Sequence, residues 1–533
     1  MCLQRSAKFS LAFLIVSVAT LGARAAAPDL ILRNGRIFTG DPAKSWVEAV
    51  SILGDKVLAL GSDTAISATA DKHTRVLDLH GRMAMPGIND AHEHAGGAPY
   101  GVEAVTKRPP QADPSIGEVA EAVRAAVPTA PADEWIHLVA GASVLREVKS
   151  TRAAIEQVAA GHPVILEAWW GHGVILNTQG LARLGIDDSV QDPPGGHYDR
   201  DESGHLSGRL EEYASNAVKQ RLGSQPGVPA SVTELRAYAD RRLREGVTSV
   251  QIMATNQRLS ALKQTMVQAH VPLRLRIMRF PIPAEDALAG EPMSTGEEQL
   301  TPLVRVAGVK WVLDGTPIDQ LAYSTRDYAS RTGWRGRSNF SIEFIDAQLK
   351  RALEGKDQFM LHIVGDAMTD EVLAEMQKLA PAERWQPLRV RFEHGDGLTT
   401  PARMNLAHQL GIVIAQPRPG RPFRALVDAG IPLAYGSDQG MAPFFMLARM
   451  TAPGDPNAIT RLQALSILTQ GSAYAEFEEK KKGTLAPGMF ADIAVLSQDV
   501  MAAPPDKLPE THSLLTMIGG RIAYSSPELA TEK

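Results

Sequence analysis

The sequence predicts an α/β protein organised around a TIM-like (β/α)8 barrel. Helix-like segments separate several of the short apolar segments that are typical of strands, as expected for successive βα units. Including the run before Pro86, the strand-like segments are 83–85, 247–252, 273–278, 308–313, 359–364, 389–393, 412–416 and 432–437. A doubly wound open sheet is the alternative, but no Gly-x-Gly-x-x-Gly motif follows any of these segments.

The two ends of the chain carry hairpin signals. Asn34-Gly35 and Gly54-Asp55 each lie between apolar runs, and further strand-like runs occur at 491–496 and 515–524. Each set of strands is too small to bury much apolar surface by itself. We therefore expect one small β-sandwich domain formed by residues 26–81 and 477–533, with two separate β-domains as the alternative.

The barrel is assigned to residues 82–476, with an insertion at 96–240 after its first strand. Two links rich in Pro and Gly, 108–110 and 192–196, interrupt the insertion, and helical patterns occur at 115–126 and 231–245. Between the later strands, helices are expected at 345–353, 368–379 and 401–409. The insertion is expected to cover a site at one end of the barrel.

The first 25 residues have the pattern of a secretory signal peptide. Arg5 and Lys8 precede the apolar run 9–21, and Ala23-Arg24-Ala25 supplies small residues for cleavage. The run is shorter than the ~20 residues needed to span a bilayer, so a retained membrane anchor is the less favoured alternative. The pattern predicts a periplasmic or secreted protein without stable membrane association after cleavage.

Composition narrows the function classes. Cys2 is the only cysteine and lies in the predicted signal peptide, so the mature chain would have no disulfide and no thiol nucleophile. The formal net charge is −5, which argues against a nucleic-acid or anionic-membrane partner. We expect a small-molecule substrate, and a homo-oligomer stays open.

The stretch 86–94 reads Pro-Gly-Ile-Asn-Asp-Ala-His-Glu-His. Residues i and i+2 of a strand point to the same face, so His92 and His94 project together. At the C-terminal end of a barrel strand they would lie where such barrels place their chemistry, and neutral imidazole is a common metal ligand. Taken alone, the pair also fits two ordinary surface histidines.

Metal-capable residues recur on or directly after later strands. Lys310 lies within the fourth strand-like segment, His362 lies within the fifth, His394 ends the sixth and Asp438 follows the eighth. Each has an ordinary explanation as a core, ion-pair or turn residue. Lys310 is the most informative, because an unpaired buried ammonium is costly. Together, groups from five strands favour a metal centre.

These segments resemble the motifs of the amidohydrolase superfamily, in its YtcJ-like branch. Residues 86–94 match the family pattern Pro-Gly-x-x-Asp-x-His-x-His. The other matching segments follow in family order across nearly the whole mature chain: 246–251, 309–310 with 314–315, 362 with 365–366, 393–394, 436–438 and 483–492.

The resemblance implies a metal-dependent hydrolase with two divalent metals, zinc being expected and manganese or iron being alternatives. Carried over residue by residue, it implies one metal on His92, His94 and Asp438, another on His362 and His394, and a carboxylated Lys310 between them. Asp438 would also act as the catalytic acid and base. A single metal, with some of these residues reassigned, is the alternative.

Substrate contacts are also carried over. The stretch 169–172 resembles an insertion motif whose histidine faces the substrate, which implies substrate binding by His172 and by Trp170. Trp169 and Trp170 could equally be packing residues. The motif containing Asp314 implies a substrate contact there as well.

Two arginines follow the seventh strand-like segment. Arg418 and Arg421 could bind a substrate carboxylate, although ordinary ion pairs are the favoured explanation. The family often has histidine near position 418, so this chain departs from the family pattern there.

The expected function is hydrolysis of a C–N bond other than a peptide bond, for example in an N-acyl or N-formyl amine. Ester or lactone hydrolysis at the same centre is an alternative, because water activated by a metal can attack either carbonyl. A catalytically silent metal- or ligand-binding protein is the alternative from another class.

Overall fold

The computed structural model describes residues 27–107, 112–283, 295–415, 418–438 and 440–530. The predicted signal peptide at 1–25 lies outside these residues. Within the described part of the chain, no helix combines the length and the apolar character that crossing a membrane requires.

Eight parallel strands form the central barrel, and each strand pairs with the next one along the chain. They are Ile88–Glu93, Val247–Met253, Arg274–Arg279, Val304–Val312, Phe359–Ile363, Arg391–His394, Val413–Ala415 and Leu433–Ala434. The last strand meets the first through backbone hydrogen bonds, because Ala91 N donates to Tyr435 O (2.7 Å) and Asp438 N donates to His92 O (3.0 Å). The predicted TIM-like α/β fold is confirmed.

The first barrel strand is not the one that the sequence indicated. The apolar run Met83–Pro86 pairs instead with Arg36–Phe38 and Ile493–Leu496 in a sheet at the chain ends. The barrel strand Ile88–Glu93 begins directly after it, and the four polar side chains of this strand are buried. The sequence placed His92 on a strand but took the apolar run before Pro86 as that strand, because hydrogen bonds among buried polar groups, rather than apolar character, keep Ile88–Glu93 in the interior.

Both chain ends contribute to one six-stranded sheet. Its order is Arg521–Ser525, Ser513–Ile518, Ile493–Leu496, Met83–Pro86, Arg36–Phe38 and Trp46–Val47. A four-stranded sheet has the order Lys56–Gly61, Ala49–Leu53, Leu30–Arg33 and Arg75–Asp78. Leu32 and Val50 of the smaller sheet share a buried cluster with Ile37, Ile493 and Leu515 of the larger one.

The region after the first barrel strand has a sheet of its own. The order of its strands is Gly196–Arg200, Leu206–Glu212, Gly173–Leu176, Val164–Ala168, Ile136–Ala140 and Val102–Glu103. A separate buried apolar cluster supports it. Position 240, the predicted end of the insertion, lies within the helix Gly227–Arg244. One further strand, Glu298–Thr301, pairs antiparallel with the fourth barrel strand.

Helices pack around these sheets. Ser115 and Thr400 cap the helices at 116–126 and 401–409 through their hydroxyl oxygens, as expected for N-cap residues. The α-helices are Asp63–Ser67, Ile116–Ala126, Ala142–Arg146, Val148–Val158, Thr178–Leu184, Tyr213–Gly223, Gly227–Arg244, Leu259–Ala269, Ile342–Leu353, Asp366–Leu379, Ala382–Trp385, Pro401–Gln409, Phe423–Asp428, Pro443–Met450, Arg461–Ser466, Ser472–Tyr474 and Pro527–Ala530. Short 3-10 helices lie at Pro42–Lys44, Val127–Thr129, Gln386–Leu388 and Pro505–Glu510, and Ile467–Gly471 forms a π-helical turn.

Candidate metal centre

Three predicted ligands converge where the first and last barrel strands meet. Each of His92, His94 and Asp438 offers one ligand atom, and these atoms all lie within 4.8 Å of one another. Asp438 Oδ1 is 3.4 Å from His92 Nε2 and 3.3 Å from His94 Nε2. Two imidazoles and a carboxylate at this spacing are a donor set that suits zinc and related divalent metals.

Two further histidines extend the cluster around the barrel mouth. The ring centroids of His92 and His394 are 5.1 Å apart, and those of His394 and His362 are 4.6 Å apart. Nε2 of His362 is buried without a hydrogen-bond partner within the described structure. Since buried polar atoms are normally hydrogen-bonded, this orphaned nitrogen is what a ligand to an added metal would leave.

Lys310 lines the same cavity as these two groups. Its side chain is 2% exposed, and its Nζ has no hydrogen-bond partner among the described residues. Burial lowers the pKa of Lys310 to about 8, although Glu393 and Asp438 act in the opposite direction. Lys310 Nζ is thus a second buried nitrogen, after His362 Nε2, without a partner among the described residues. Its position among histidines and a carboxylate is what a divalent metal centre would require.

Glu393 fixes the orientation of His92. One of its oxygens, Oε2, lies 2.5 Å from His92 Nδ1, and Oε1 accepts a hydrogen bond from Arg391 Nε at 2.8 Å. Burial raises the pKa of Glu393, but Arg391 and His92 outweigh burial and hold the pKa well below its usual range. The carboxylate is thus ionised, and His92 presents Nε2 to the cluster.

The loop that carries Asp438 is tied to the first barrel strand. Asp90 accepts hydrogen bonds from the backbone of Ser437 (2.9 Å) and from Arg242 (2.6 Å), and Glu93 accepts one from the Ser437 hydroxyl (2.7 Å). Asp438 has a φ of 42°, a left-handed conformation that is uncommon outside glycine. Such strain persists only where neighbouring contacts enforce it.

Asp438 is held ionised by its neighbours. Burial raises the pKa of its carboxyl, but the adjacent His92 and His94 outweigh burial and hold the pKa well below its usual range. Its carboxylate is therefore available both as a ligand and as a proton acceptor at neutral pH.

A cavity of about 510 Å³ opens from the cluster toward the insertion. Trp169, Trp170 and His172 line it, together with the histidines of the cluster and Lys310. Val105 and Val139 add exposed apolar surface to its wall. The cavity is thus polar at the barrel end, and the insertion adds both apolar and charged side chains to its wall.

His172 faces the cluster from the insertion side. Its ring centroid is 4.5 Å from that of His362, and its Nδ1 is 3.1 Å from both carboxylate oxygens of Glu212. A side chain at Gly315 would place its Cβ 2.9 Å from Glu212 Oε1, so glycine leaves room for this carboxylate. Trp170 Nε1 donates to Asp319 at 3.0 Å, which fixes the indole on the cavity wall.

Asp314 is placed differently from the other predicted substrate residues. It is fully buried, and its carboxylate accepts hydrogen bonds from the backbone of Tyr323 (3.0 Å), Val364 (3.0 Å) and Gly365 (2.7 Å). Burial raises its pKa to about 7 despite these three bonds. Asp314 ties two loops beside the site, and its contact with a substrate stays a prediction.

Arg418 and Arg421 are both engaged. Each guanidinium forms an ion pair with Asp396 through Nη2. Arg418 also lines the cavity. The ion-pair explanation favoured from the sequence agrees with these contacts.

Sequence reasoning gave no role to three charged residues of the site: Glu393, Glu212 and Lys219. Glu393 precedes a predicted ligand, and that adjacency is a signal that could have identified it. Glu212 and Lys219 come from the insertion, far from the histidine motifs in sequence, and no local pattern marks them.

Comparison with known proteins gives matches over nearly the whole chain. A model described as the amidohydrolase family matches residues 75–524. N-substituted formamide deformylase of Arthrobacter pascens is 24% identical over 93% of this chain and 98% of that protein. YtcJ of Bacillus subtilis (strain 168) is 22% identical over 93% of this chain and 99% of that protein.

A solved structure supports the fold. The crystal structure of an uncharacterised metal-dependent hydrolase from Pyrococcus horikoshii OT3 superposes with a TM-score of 0.64 at 17% identity. The superposition covers 90% of this chain and 99% of that one. At 17% identity, this likeness shows a shared fold alone.

Proposed function

Because the chain belongs to the amidohydrolase family, we propose that it is a metal-dependent hydrolase of an amide-type C–N bond, as in an N-acyl or N-formyl amine. The resemblance to YtcJ-like amidohydrolases is confirmed by the family match and by the relatives. The observation that carries the proposal is the buried amine of Lys310, which has no hydrogen-bond partner in the described structure and lies among predicted metal ligands.

The proposed ligands divide into two groups. His92, His94 and Asp438 would hold one divalent metal, and His362 and His394 would hold another. Carboxylation of Lys310 would turn its buried nitrogen into a carrier of anionic oxygen ligands between the two groups. Imidazole and carboxylate donors favour zinc, with manganese or iron as alternatives. When bound, such a centre supplies Lewis acidity that polarises a carbonyl and makes water a better nucleophile.

Asp438 would move the proton. Its carboxylate is ionised and lies at the barrel mouth, so it can take a proton from the attacking water. The oxygen of that water bonds to the carbonyl carbon, the C–N bond breaks, and Asp438 returns the proton to the leaving nitrogen. The products are a carboxylic acid and an amine.

The insertion would position the substrate. Because Glu212 engages Nδ1 of His172, the other ring nitrogen is left to contact a substrate carbonyl in the cavity. Trp170 is held by Asp319 and would pack against the rest of the substrate. With a substrate bound, Trp169 and Val139 of this wall would exclude water and so strengthen polar interactions at the centre.

The deformylase relative supports an N-formyl amine as the first substrate class to examine. Ester or lactone hydrolysis is the second candidate, since the cavity and the proton route do not require a leaving nitrogen. The silent-binder alternative is less favoured, because the six predicted ligands are all present.

The test is a panel of N-formyl amines, N-acetyl amines, esters and lactones with protein loaded with zinc or manganese. Faster turnover of the amides than of the matched esters supports the proposal. Turnover of esters or lactones alone would replace it with the second candidate. No turnover of any panel member, by protein with a full metal complement, would favour the binding protein.

We also interpret the two sheets at the chain ends as the small β-sandwich domain, since one buried cluster joins them. On the strength of the signal-peptide pattern, we place the reaction in the periplasm or outside the cell.

A further inference from the structure

Lys219 is a buried cation on the wall of the substrate cavity. It lies on the helix Tyr213–Gly223 of the insertion, and it is 8% exposed. It lines the main cavity and also an adjoining cavity of about 410 Å³, so its side chain lies where the two meet.

The ammonium of Lys219 has few contacts. Nζ donates one hydrogen bond, to the carbonyl oxygen of Gly171, the residue before His172. Within the described part of the chain, no carboxylate forms an ion pair with it. The two acidic groups nearby are engaged elsewhere, because Glu167 accepts a hydrogen bond from the Tyr100 hydroxyl and Glu212 contacts His172.

The charge of Lys219 is therefore incompletely compensated. Burial lowers its pKa, and the neighbouring Glu167 and Glu212 do not offset that effect. An ammonium has three donor hydrogens, and one is used by Gly171. A buried cation with unused donors gains more from a bound anion than an exposed lysine does.

The other cations of the cavity wall have partners. Arg418 is paired with Asp396, and Lys107 forms an exposed ion pair with Glu118. Lys310 belongs to the proposed metal centre. Lys219 is thus the cation on this wall that is best placed to receive an anionic group of a substrate.

We propose that Lys219 binds a carboxylate of the substrate, so that the substrate class is an N-acyl or N-formyl amine whose amine part carries a carboxylate. This inference rests on the proposed function. Gly171 connects Lys219 to the histidine cluster. Its carbonyl oxygen accepts the hydrogen bond from Lys219, and the next residue, His172, has its ring centroid 4.5 Å from that of His362. A carboxylate at Lys219 and a scissile carbonyl at the histidines would therefore occupy one cavity.

The test compares matched probes that differ in one charge: an N-formyl amino acid and the same compound with its carboxylate converted to a carboxamide. The metal-loaded wild type is expected to favour the carboxylate at least about tenfold in kcat/KM, as a charged hydrogen bond would give. Lys219→Met should remove most of that preference, and Lys219→Arg should restore part of it. Lys350→Met, at an exposed ion pair with Asp346, is the control.

The ratio of the kcat/KM values for the two probes distinguishes loss of carboxylate binding from general damage to the site. Loss of the Gly171 contact alone would lower kcat/KM for both probes equally and leave the ratio intact, which would overturn the inference. Equal turnover of the two probes by the wild type would overturn it too.

Failure of the proposed function can be distinguished from failure of the proposed carboxylate site. If neither probe is hydrolysed, calorimetry is run with analogues in which CH2 replaces the scissile carbonyl. Tighter binding of the carboxylate analogue to the wild type than to Lys219→Met would still support the anion site. Equal binding of the carboxylate and carboxamide analogues would reject it.

Discussion

Glu393 Oε2 lies 2.5 Å from His92 Nδ1, and the same carboxylate is held by Arg391, so a charged, fully buried pair orients a predicted metal ligand. Outer partners of this kind commonly control metal affinity by orienting a histidine and raising its basicity. Glu393 directly precedes His394, another predicted ligand. Successive side chains of a strand point to opposite faces, so Glu393 holds His92 while His394 takes a different direction.

Glu393→Gln is predicted to weaken metal binding roughly 10- to 100-fold, the usual cost of removing an outer partner. The fold should persist, since the amide has nearly the same volume. Competition with a chelator of known affinity measures the change, with the exposed Glu383→Gln as control. Unchanged metal affinity in Glu393→Gln would show that the pair serves stability only.

Asp438→Asn is predicted to keep the fold and to lose nearly all turnover. The amide cannot accept the proton of the attacking water, and removing a general acid or base typically costs about 10²- to 10⁴-fold. Steady-state kinetics on the best substrate of the panel measure the loss, and circular dichroism checks the fold. A variant with more than a tenth of wild-type kcat would exclude Asp438 as the proton carrier.

Glu212→Leu is predicted to lower kcat by up to about 100-fold without changing metal content, because His172 would lose the acceptor that fixes its ring and a misplaced positioning group can cost that much. Glu212→Gln retains an acceptor oxygen and should lose less. Kinetics and elemental analysis of both variants are compared. Equal losses in the two variants would indicate that the glutamate charge, rather than ring orientation, is what His172 requires.

Glu476 should contribute to stability in a pH-dependent way. Burial raises its pKa, but Lys482, Arg305 and Arg276 outweigh burial and lower the pKa from 4.5 to about 2. A carboxyl with a depressed folded-state pKa stabilises above its unfolded pKa and loses that contribution as the pH falls toward the folded value. The contribution is therefore complete above pH 5 and declines between about pH 4.5 and pH 2.

The prediction for Glu476→Gln follows from that window. The difference in free energy of unfolding between wild type and variant should narrow by about 2 kcal/mol between pH 7 and pH 3. Urea denaturation across this range measures the difference, with the exposed Glu354→Gln as control. A difference that does not vary with pH would mean that Glu476 titrates normally in the folded chain.

The barrel was predictable because most of its strands are apolar segments bounded by turns and alternate with helices. The extent of the first strand was not predictable, because Asn89, Asp90, His92 and Glu93 interrupt its apolar pattern. These side chains are buried through contacts with residues far along the chain, for example Asp90 with Arg242 and Glu93 with Ser437. Local sequence cannot show such partners.

The candidate site also has a part that the sequence could predict and a part that it could not. The predicted ligands follow strand ends, and the geometry of parallel strands is sufficient to bring such positions together. Glu212, Lys219 and the cavity wall come from the insertion, and their positions depend on how its sheet packs over the barrel. A residue such as Lys219 becomes noticeable only when its burial and the absence of a nearby ion-pair partner in the described structure are known.

Metal content per chain tests most directly whether the protein holds a metal centre that includes Lys310. Protein purified without chelators and with bicarbonate present should contain about two divalent metals per chain by elemental analysis. Lys310→Ala should contain fewer, and the control Lys350→Ala should match the wild type. No bound metal in the wild type, even after zinc or manganese is added, would contradict the account.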